Sequence, residues 1–560
     1  MKVKWNKFKT IEQVICHNLN IKNIHELELF NSKEYFIKGL KEAKKLIMSS
    51  LDRPIYVLTD YDCDGICCAI ILDRIFKRLK HKNYHIEIPD RHNGYGLSEI
   101  YLENISEKSL VITADNGITA NTVIDKLKNN MNCKVLVLDH HLMSSDGLPN
   151  ADVIVDPNAI DGSTFNGYCG TGLCYKLAQL LFPNNDLYYD LIIACIATIA
   201  DAVPLTEENR VIVKKGLKCI NEYKNNPVTI LLHYLGICHA DEDTIGYFIA
   251  PIINATGRID APQKAYQFFM YGYKELLYEL CKINTNRKIM VKEAKEFADL
   301  IIIDNRLFKS YPIVIAYDKS YGVKEGIIGI IAGQLADEYK RPVIVLTEVD
   351  KGIYKGSARS YNDINIKELL DKCKDNMITY GGHIGAAGLS VKKSKLEDFI
   401  SNVQSAFAKM DVTVTSDIKY DLKLNVDEIN EIMEKLELYS PYGEGNPNPV
   451  FYGDIDLISS KGSHYKKMGS ANEHIKLNAK DLSLIGFNMA DKYANEDYPK
   501  HISVIGNLRY NYYRNNRTNQ MNIIDYEVKK SDDNYSHLTN LLNHKLKRIK
   551  KEMRRKDEQQ

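Results

Sequence analysis

No run of apolar residues in this chain is long enough to cross a membrane. The longest one near a helix candidate, Leu191 to Ala200, stops at Asp201, well short of the roughly 18 residues a span requires. Met1 to Lys9 alternates lysines with polar and aromatic residues and leads into no apolar core with a small-residue cleavage site. The expectation is a cytoplasmic protein without membrane partners. Paired cysteine spacing is absent too: twelve cysteines are scattered with no C-x-x-C, and Cys67, Cys68 and Cys195 lie inside apolar runs. They read as small buried hydrophobes in a reducing compartment, not as zinc ligands or disulfides. Charge of one sign is not in excess, with 74 Lys and Arg against 73 Asp and Glu, so any nucleic-acid contact must come from local patches. No Gly-Lys dipeptide occurs, which excludes a Walker A loop and nucleotide-driven unwinding by this chain alone.

What is present is the material of a large globular protein. Hydrophobic residues make up 44% and charged residues 26% of 560, enough for a real core, and at roughly 150 residues per domain the length suggests about three to four folded units. Residues 1–50 read as short helices forming a cap. Across 51–215, short apolar runs (Ile55 to Thr59, His85 to Ile88, Leu110 to Ala114, Val135 to Leu138, Val153 to Val155) alternate with helix-like segments, the signature of βαβ units and a parallel sheet. Residues 216–305 read as a helical connector ending in the charged stretch Lys282 to Asp304. A second α/β pattern fills 306–410, with strands at Pro312 to Ala316 and Arg341 to Leu346 around a helix from Gly329 to Tyr339. Residues 411–530 carry strand-length segments and a turn-rich Pro441 to Pro447, fitting a small β-barrel. The final 531–560 form a basic tail, in which Lys545 to Lys556 is a solvated helix or a flexible segment.

The chemistry concentrates where strands end. Asp60, Asp62 and Asp64 alternate directly after the first strand, Asp115-Asn116-Gly117 follows the third, and Asp139-His140-His141 follows the fourth. In an open α/β sheet, ligands bind beyond the carboxyl ends of the strands, so the clusters should converge. An EF-hand reading of Asp60 to Gly65 fails, because position 12 would be Ile71 and a strand precedes the loop where a helix is needed. Asp201 closes an apolar helix candidate. Buried beside other acids it is costly as a bare anion and sensible as a ligand. Carboxylates with one or two imidazoles and no thiolate favour manganese or magnesium over zinc. The ligand number fits two ions roughly 3.5 to 4 Å apart, the arrangement suited to phosphodiester hydrolysis.

These ordered motifs resemble those of the DHH phosphoesterase superfamily. Arg91 with Gly94-Tyr95-Gly96-Leu97, Gly257-Arg258-Ile259, Gly326 to Ile330, Ser357-Ala358-Arg359-Ser360, Gly381 to Gly388 and Pro441 to Pro447 are further similar to the RecJ family of single-stranded-DNA-specific exonucleases. The resemblance implies an α/β fold: a parallel-sheet DHH domain, a long connecting helix, an α/β DHHA1 domain and a C-terminal OB-fold barrel. It implies that Asp62, Asp64, Asp115, His140 and Asp201 hold two Mn2+ or Mg2+ ions, with Asp64 or Asp115 bridging them and Asp60 and Asp139 orienting ligands. His141, with Asp64 and Asp115, would serve catalysis. The activity implied is removal of 5′ mononucleotides from single-stranded DNA, 5′ to 3′, in recombination and repair, by a monomer whose partners are single-stranded DNA, a helicase and a single-strand-binding protein. Two alternatives stay open: a related phosphoesterase on short oligonucleotides or cyclic dinucleotides, and an inert replication scaffold. Lys324 stands where the family often has His, and Ala358 where it often has Gly.

By matching positions, Arg91, Tyr95, Arg258, Ser357 and Arg359 would hold the substrate, with the arginines gripping a 5′ phosphate bidentately. Gly382 and His383 lie in a glycine-rich segment that lets backbone N–H groups approach a phosphate. In the barrel, Arg509, Tyr510, Tyr512 and Arg514 interleave cations and aromatics, as a groove for stacked bases requires. Cys169-Gly170-Thr171-Gly172 is read as a helix start packing on the sheet, not as a dinucleotide fingerprint.

Overall fold

The structure is a computed structural model, and it describes residues 3–528 apart from 92–93, 95, 305–306, 308–311, 318–322, 351, 363, 411–417, 460–462, 470 and 514–515. Tyr95, Arg514 and the basic tail therefore lie outside the described residues. The chain divides into two compact units, one built from residues 18–416 with 440–447, the other from 1–17 with 417–439 and the segment from 448 onward.

The second of these units contains the first strand, β1 (Val3–Trp5). Short helices follow, at Ile11–Asn18, Glu26–Ser32 and Leu40–Met48, so within residues 1–50 the opening Val3–Trp5 is strand where helix is expected.

In the larger unit five strands, β2 (Ile55–Leu58), β3 (Tyr84–Glu87), β4 (Leu110–Ala114), β5 (Lys134–Leu138) and β6 (Val153–Val155), form an all-parallel sheet in the order β3-β2-β4-β5-β6. β4 is buried at every position and β5 at all but its first residue, as continuous apolar runs covered on both faces demand. Leu58 lies opposite Thr113, Ala114 opposite Leu138, and Leu138 opposite Val155. Strands in that register end together, so the acids following them emerge along one edge.

Two helices carry the remaining acids to that edge. Cys63–Arg78 starts beside it with Asp64 in its first turn, and Tyr188–Ala200 finishes there with Asp201 as its C-cap. Their far ends are tied by an ion triad: Arg74 Nε donates to Asp190 Oδ1 at 2.9 Å and Arg78 Nη1 to the same oxygen at 3.0 Å. Asp190 is fully buried. Burial opposes its charge, but the hydrogen bonds from Arg78 and Arg74 outweigh that and hold its carboxyl below the usual range.

A 31-residue helix, Lys274–Asp304, leads to a mixed sheet of β7 (Val314–Tyr317), β8 (Val343–Asp350), β9 (Ile353–Arg359), β10 (Thr379–Gly382) and β11 (Ala386–Lys392), ordered β10-β11-β9-β8-β7 with only β7 and β8 parallel. The turn at 440–447 also packs in this unit. Buried Arg210 donates to the carbonyls of Ser440 and Pro441 at 2.8 and 2.9 Å.

In the smaller unit β1 pairs in parallel with β12 (Ile418–Tyr420). Seven further strands, β13 (Leu422–Lys423), β14 (Val450–Asp456), β15 (Tyr465–Met468), β16 (His474–Ala479), β17 (Leu482–Gly486), β18 (His501–Tyr513) and β19 (Asn516–Val528), make one sheet ordered β13-β14-β18-β19-β17-β16-β15. None of the twelve cysteines forms a disulfide. No helix among the described residues is long and apolar enough to cross a membrane.

Removing the carboxylate in Asp190→Ala leaves two guanidinium groups facing each other at a buried contact. Because both arginines retain some access to water, the loss should sit near the low end for broken buried pairs, about 3 kcal/mol, measurable as a reduced urea midpoint.

Candidate metal centre

The site is assembled by backbone geometry first. After β2, Asp62 caps the helix Cys63–Arg78, its Oδ1 accepting from the amides of Asp64 at 3.0 Å and Gly65 at 3.1 Å. A Cβ on Gly65 would lie 2.3 Å from the Asp60 carbonyl oxygen, so only glycine lets this loop fold so tightly onto itself. Asp64 is fixed by a helix N-terminus: the amide of Gly170 donates to its Oδ2 at 2.7 Å and that of Thr171 to its Oδ1 at 2.9 Å, the usual way such an end holds an anion. The expected helix start at Cys169 to Gly172 thus anchors a site carboxylate.

His140 stands at the middle. Its Nε2 is 3.2 Å from Asp115 Oδ1, 3.6 Å from Asp201 Oδ2 and 3.7 Å from Asp64 Oδ2. Three overlapping groups, Asp64/His140/Asp201, Asp115/His140/His141 and Asp60/Asp62/Asp115, each offer ligand atoms within 4.8 Å of one another. None of these groups includes a thiol.

The electrostatics explain what such a cluster needs. Burial raises the carboxyls of Asp60, Asp62, Asp115 and Asp201 above their usual range, and the charges of neighbouring acids raise them further. Asp60 Oδ1 is buried with no hydrogen-bond partner. Acids in this state either take up protons or bind cations, and oxygen donors with one neutral imidazole suit Mn2+ or Mg2+. Burial lowers the basicity of His140, keeping it in the neutral form a ligand requires.

His141 behaves oppositely. Burial would pull its pKa down, but Nδ1 lies 2.8 Å from Asp139 Oδ1, and the hydrogen bond and charge of that carboxylate hold it up at about 9. Asp139 is itself pinned, accepting from the amides of His140 at 2.8 Å and Ile118 at 2.9 Å. A further acid, Asp156, is absent from the sequence-predicted set, although it follows β6 as the other acids follow their strands. Burial and then Asp139 push it up to about 7. Asn158, whose amide Asp156 accepts, donates to the His140 carbonyl at 2.6 Å.

Beside the acids lies a cationic cluster. Arg91 donates through Nε to the Gly257 carbonyl at 3.0 Å, with its guanidinium 4.2 Å from the Tyr61 ring centre. Arg258 Nη1 donates to Gly326 at 3.0 Å, and Arg359 Nη1 to buried Ser357 Oγ and the Ala358 carbonyl, both at 3.0 Å. The helices Ala250–Ile259 and Glu325–Tyr339 meet backbone to backbone, since a Cβ on Gly326 would lie 2.1 Å from the Arg258 carbonyl oxygen. Arg258 is close enough to feel the charge of Asp62, and Asp60 that of Arg91. Gly382 and His383 sit on the exposed β10–β11 hairpin, whose Ala386 lies opposite Arg359.

The barrel residues belong to the other unit. Tyr510 and Tyr512 share one face of β18, ring centres 6.3 Å apart, and Arg509 points to the opposite face. Arg517 covers Tyr510 at 4.0 Å and is gripped by Glu437 at 2.8 and 3.0 Å.

Residues 54–203 match the N-terminal domain of the DHH family, 311–409 the DHHA1 domain and 420–525 the RecJ OB domain. The chain belongs to the RecJ family. It is 31% identical over 517 residues to the single-stranded-DNA-specific exonuclease RecJ of Bacillus subtilis, covering 88% of this chain and 64% of that protein. It is 28% identical to RecJ of Haemophilus influenzae, covering 90% of this chain and 94% of the relative. The fold of this RecJ-family chain also matches the crystal structure of Thermus thermophilus RecJ in complex with Mn2+, with TM-score 0.74, 23% identity and coverage of 95% and 80% of the respective chains.

The opposed settings of the two histidines are directly testable. In metal-free protein, Asp139→Asn should drop the His141 pKa from about 9 toward the ordinary imidazole value of about 6.5, because burial remains and the strongest of the carboxylates that raise it is gone, leaving only Asp201 and Asp64. An NMR titration of the imidazole signals reads this out, and an unmoved value would show that Asp139 does not set it.

Proposed function

We propose that the chain is a metal-dependent exonuclease that degrades single-stranded DNA from the 5′ end and releases 5′ mononucleotides. The observation that supports it most is the placement of the carboxylate and histidine cluster next to arginines whose hydrogen bonds go to neutral groups, which gives one site for divalent cations and an adjoining one for a phosphorylated strand end. Asp62, Asp64, Asp115, His140 and Asp201 would hold two Mn2+ or Mg2+ ions, which when bound supply Lewis acidity at the phosphodiester and offset the charge that develops there.

The chain's own residues do the remaining work. Arg91, Arg258, Ser357 and Arg359 hold the terminal phosphate and fix the polarity of the strand. Asp139 occupies Nδ1 of His141 and keeps the ring protonated, so Nε2–H is the proton available to a phosphoryl or leaving oxygen. Asp60 and Asp139 constrain the loops that bear the ligands. Tyr510, Tyr512 and Arg509 of the barrel would bind single-stranded DNA in their own unit, with Arg517 held against Tyr510 by Glu437. The chain would act as a monomer in the cytoplasm, and, lacking a Walker A loop, would leave strand separation to a separate helicase.

A 5′-labelled single strand, its duplex and a dinucleotide, each incubated with Mn2+ and then with chelator, test this reading. Loss of mononucleotides from the single strand alone, abolished by chelator, is expected; preference for the dinucleotide would replace it with a short-oligonucleotide phosphoesterase. Asp64→Ala should reduce turnover by about 1000-fold or more while strand binding persists.

A further inference from the structure

Arg287 lies within the long helix Lys274–Asp304, where the sequence presents it as one more charge on a solvated face. The structure places it otherwise. It is partly buried, and its Nε donates at 3.1 Å to Oδ1 of Asn284, one helical turn earlier. Asn284 is itself only 7% exposed. A buried amide that engages Nε orients the guanidinium and leaves its two Nη groups as a fork.

The turn that carries Arg287 lies beside the arginine cluster: Val291, one turn on, shares a hydrophobic core with Ile327 and Ile328, and Ile259, next to Arg258, packs against the same core. The helix carrying Arg258 and the helix Glu325–Tyr339 both pack on the Arg287 helix. Burial and then the charge of Arg91 lower the pKa of Arg258 to about 10; the Asp62 carboxylate opposes them, and Arg287 and Arg359 add to the lowering. The hydrogen-bond partners of the four guanidinium groups are backbone carbonyls, one hydroxyl and one amide, with no carboxylate among the described residues. Four like charges gathered at partly buried positions repel one another, Asp60 and Asp62 offset only part of that, and a bound anion would relieve the rest. A phosphate monoester, carrying up to two negative charges and three acceptor oxygens, is the end group that meets this need; a 5′-hydroxyl end cannot.

We propose that Arg287 is a specificity-determining residue of the terminal pocket, the fourth arm of an arginine cradle that distinguishes a 5′-phosphorylated strand from a 5′-hydroxyl one, with Asn284 as its positioning residue. The inference rests on the exonuclease reading, which puts the strand's 5′ end at Arg91, Ser357 and Arg359, and extends it to a residue on the connecting helix.

The test compares binding of matched 5′-phosphorylated and 5′-hydroxyl single strands to the full chain in chelator, for the wild type, Arg287→Ala, Arg287→Lys and Asn284→Ala. Arg287→Ala should weaken the phosphorylated strand by about 10-fold or more and leave the hydroxyl strand within about 2-fold. Arg287→Lys should restore part of the difference, since lysine keeps the charge but lacks the fork. Asn284→Ala should produce a smaller loss of the same kind. Equal weakening of both strands, or of neither, overturns the proposal, as does a wild type that binds the two alike. If Arg287→Ala lowers the melting temperature, Arg287→Lys decides instead, by the same ratio between strands. Because binding is read without metal, a wild type that fails to hydrolyse either strand with Mn2+ would sink the exonuclease reading separately.

Discussion

Carboxylates do not gather unaided, and the repulsion among them is the constraint to which the catalytic unit is built. Asp60, Asp62 and Asp115 offer oxygens within 4.8 Å of one another. At an effective dielectric of about 20, each such pair costs about 3.5 kcal/mol when both are ionised. The opposing forces are spread through the fold: a parallel register that ends β2, β4, β5 and β6 along one edge, amides of Gly170 and Thr171 that clasp Asp64, and the Arg74, Arg78 and Asp190 triad at the far end of the two helices that bear Asp64 and Asp201. The last of these matters because helices are stiff: fixing the distal ends of Cys63–Arg78 and Tyr188–Ala200 sets the separation of Asp64 and Asp201 at the proximal ends. Stability invested far from the chemistry thereby maintains a local arrangement that is unfavourable until cations arrive.

The same environment gives two adjacent histidines different jobs. His140 and His141 are neighbours in sequence, with ring centres 4.4 Å apart, yet one is held neutral and the other protonated. What separates them is which partner each meets. His140 turns Nε2 toward three carboxylates while burial depresses its basicity; His141 takes Asp139 on Nδ1 and is held up. Asp139 can do this because backbone amides already stabilise its own charge. An imidazole pair without that carboxylate would be two rings of similar basicity; with it, one ring is held neutral and its neighbour protonated.

Much of this is legible in the chain because it is local. Apolar runs of about five residues followed at once by an acid point both to the parallel sheet and to the place where acids collect, and the ordered motifs point to the family. Less legible are contacts between residues distant in sequence. The tie between Arg74 and Asp190 spans 116 positions, and nothing near either residue announces the other. Asp156 has the same local signature as Asp115, but no adjacent histidine or glycine sets it apart from an ordinary turn former. Arg287 is hidden for a different reason: on a helix rich in Lys and Glu, periodicity cannot tell a solvated cation from one turned against Asn284. The opening strand Val3–Trp5 escapes notice because three residues are too few to show alternation, and its partner Ile418–Tyr420 lies more than 400 positions away.

These distant contacts also show why glycine recurs around the site. A Cβ on Gly257 would fall 2.0 Å from the Tyr61 carbonyl oxygen, and one on Gly326 would fall 2.1 Å from that of Arg258. Those two approaches run in series, from the loop that carries Asp60 and Asp62, through the helix Ala250–Ile259 that bears Arg258, to the helix Glu325–Tyr339 of the second α/β region. Asn254 reinforces the first step by accepting from the Cys63 amide at 2.9 Å. The acids and the arginines are therefore not two sites that happen to be near each other. They are tied together by backbone contacts too close for any side chain, so a shift of the loop that bears Asp60 and Asp62 is passed to the helices that bear Arg258 and Gly326.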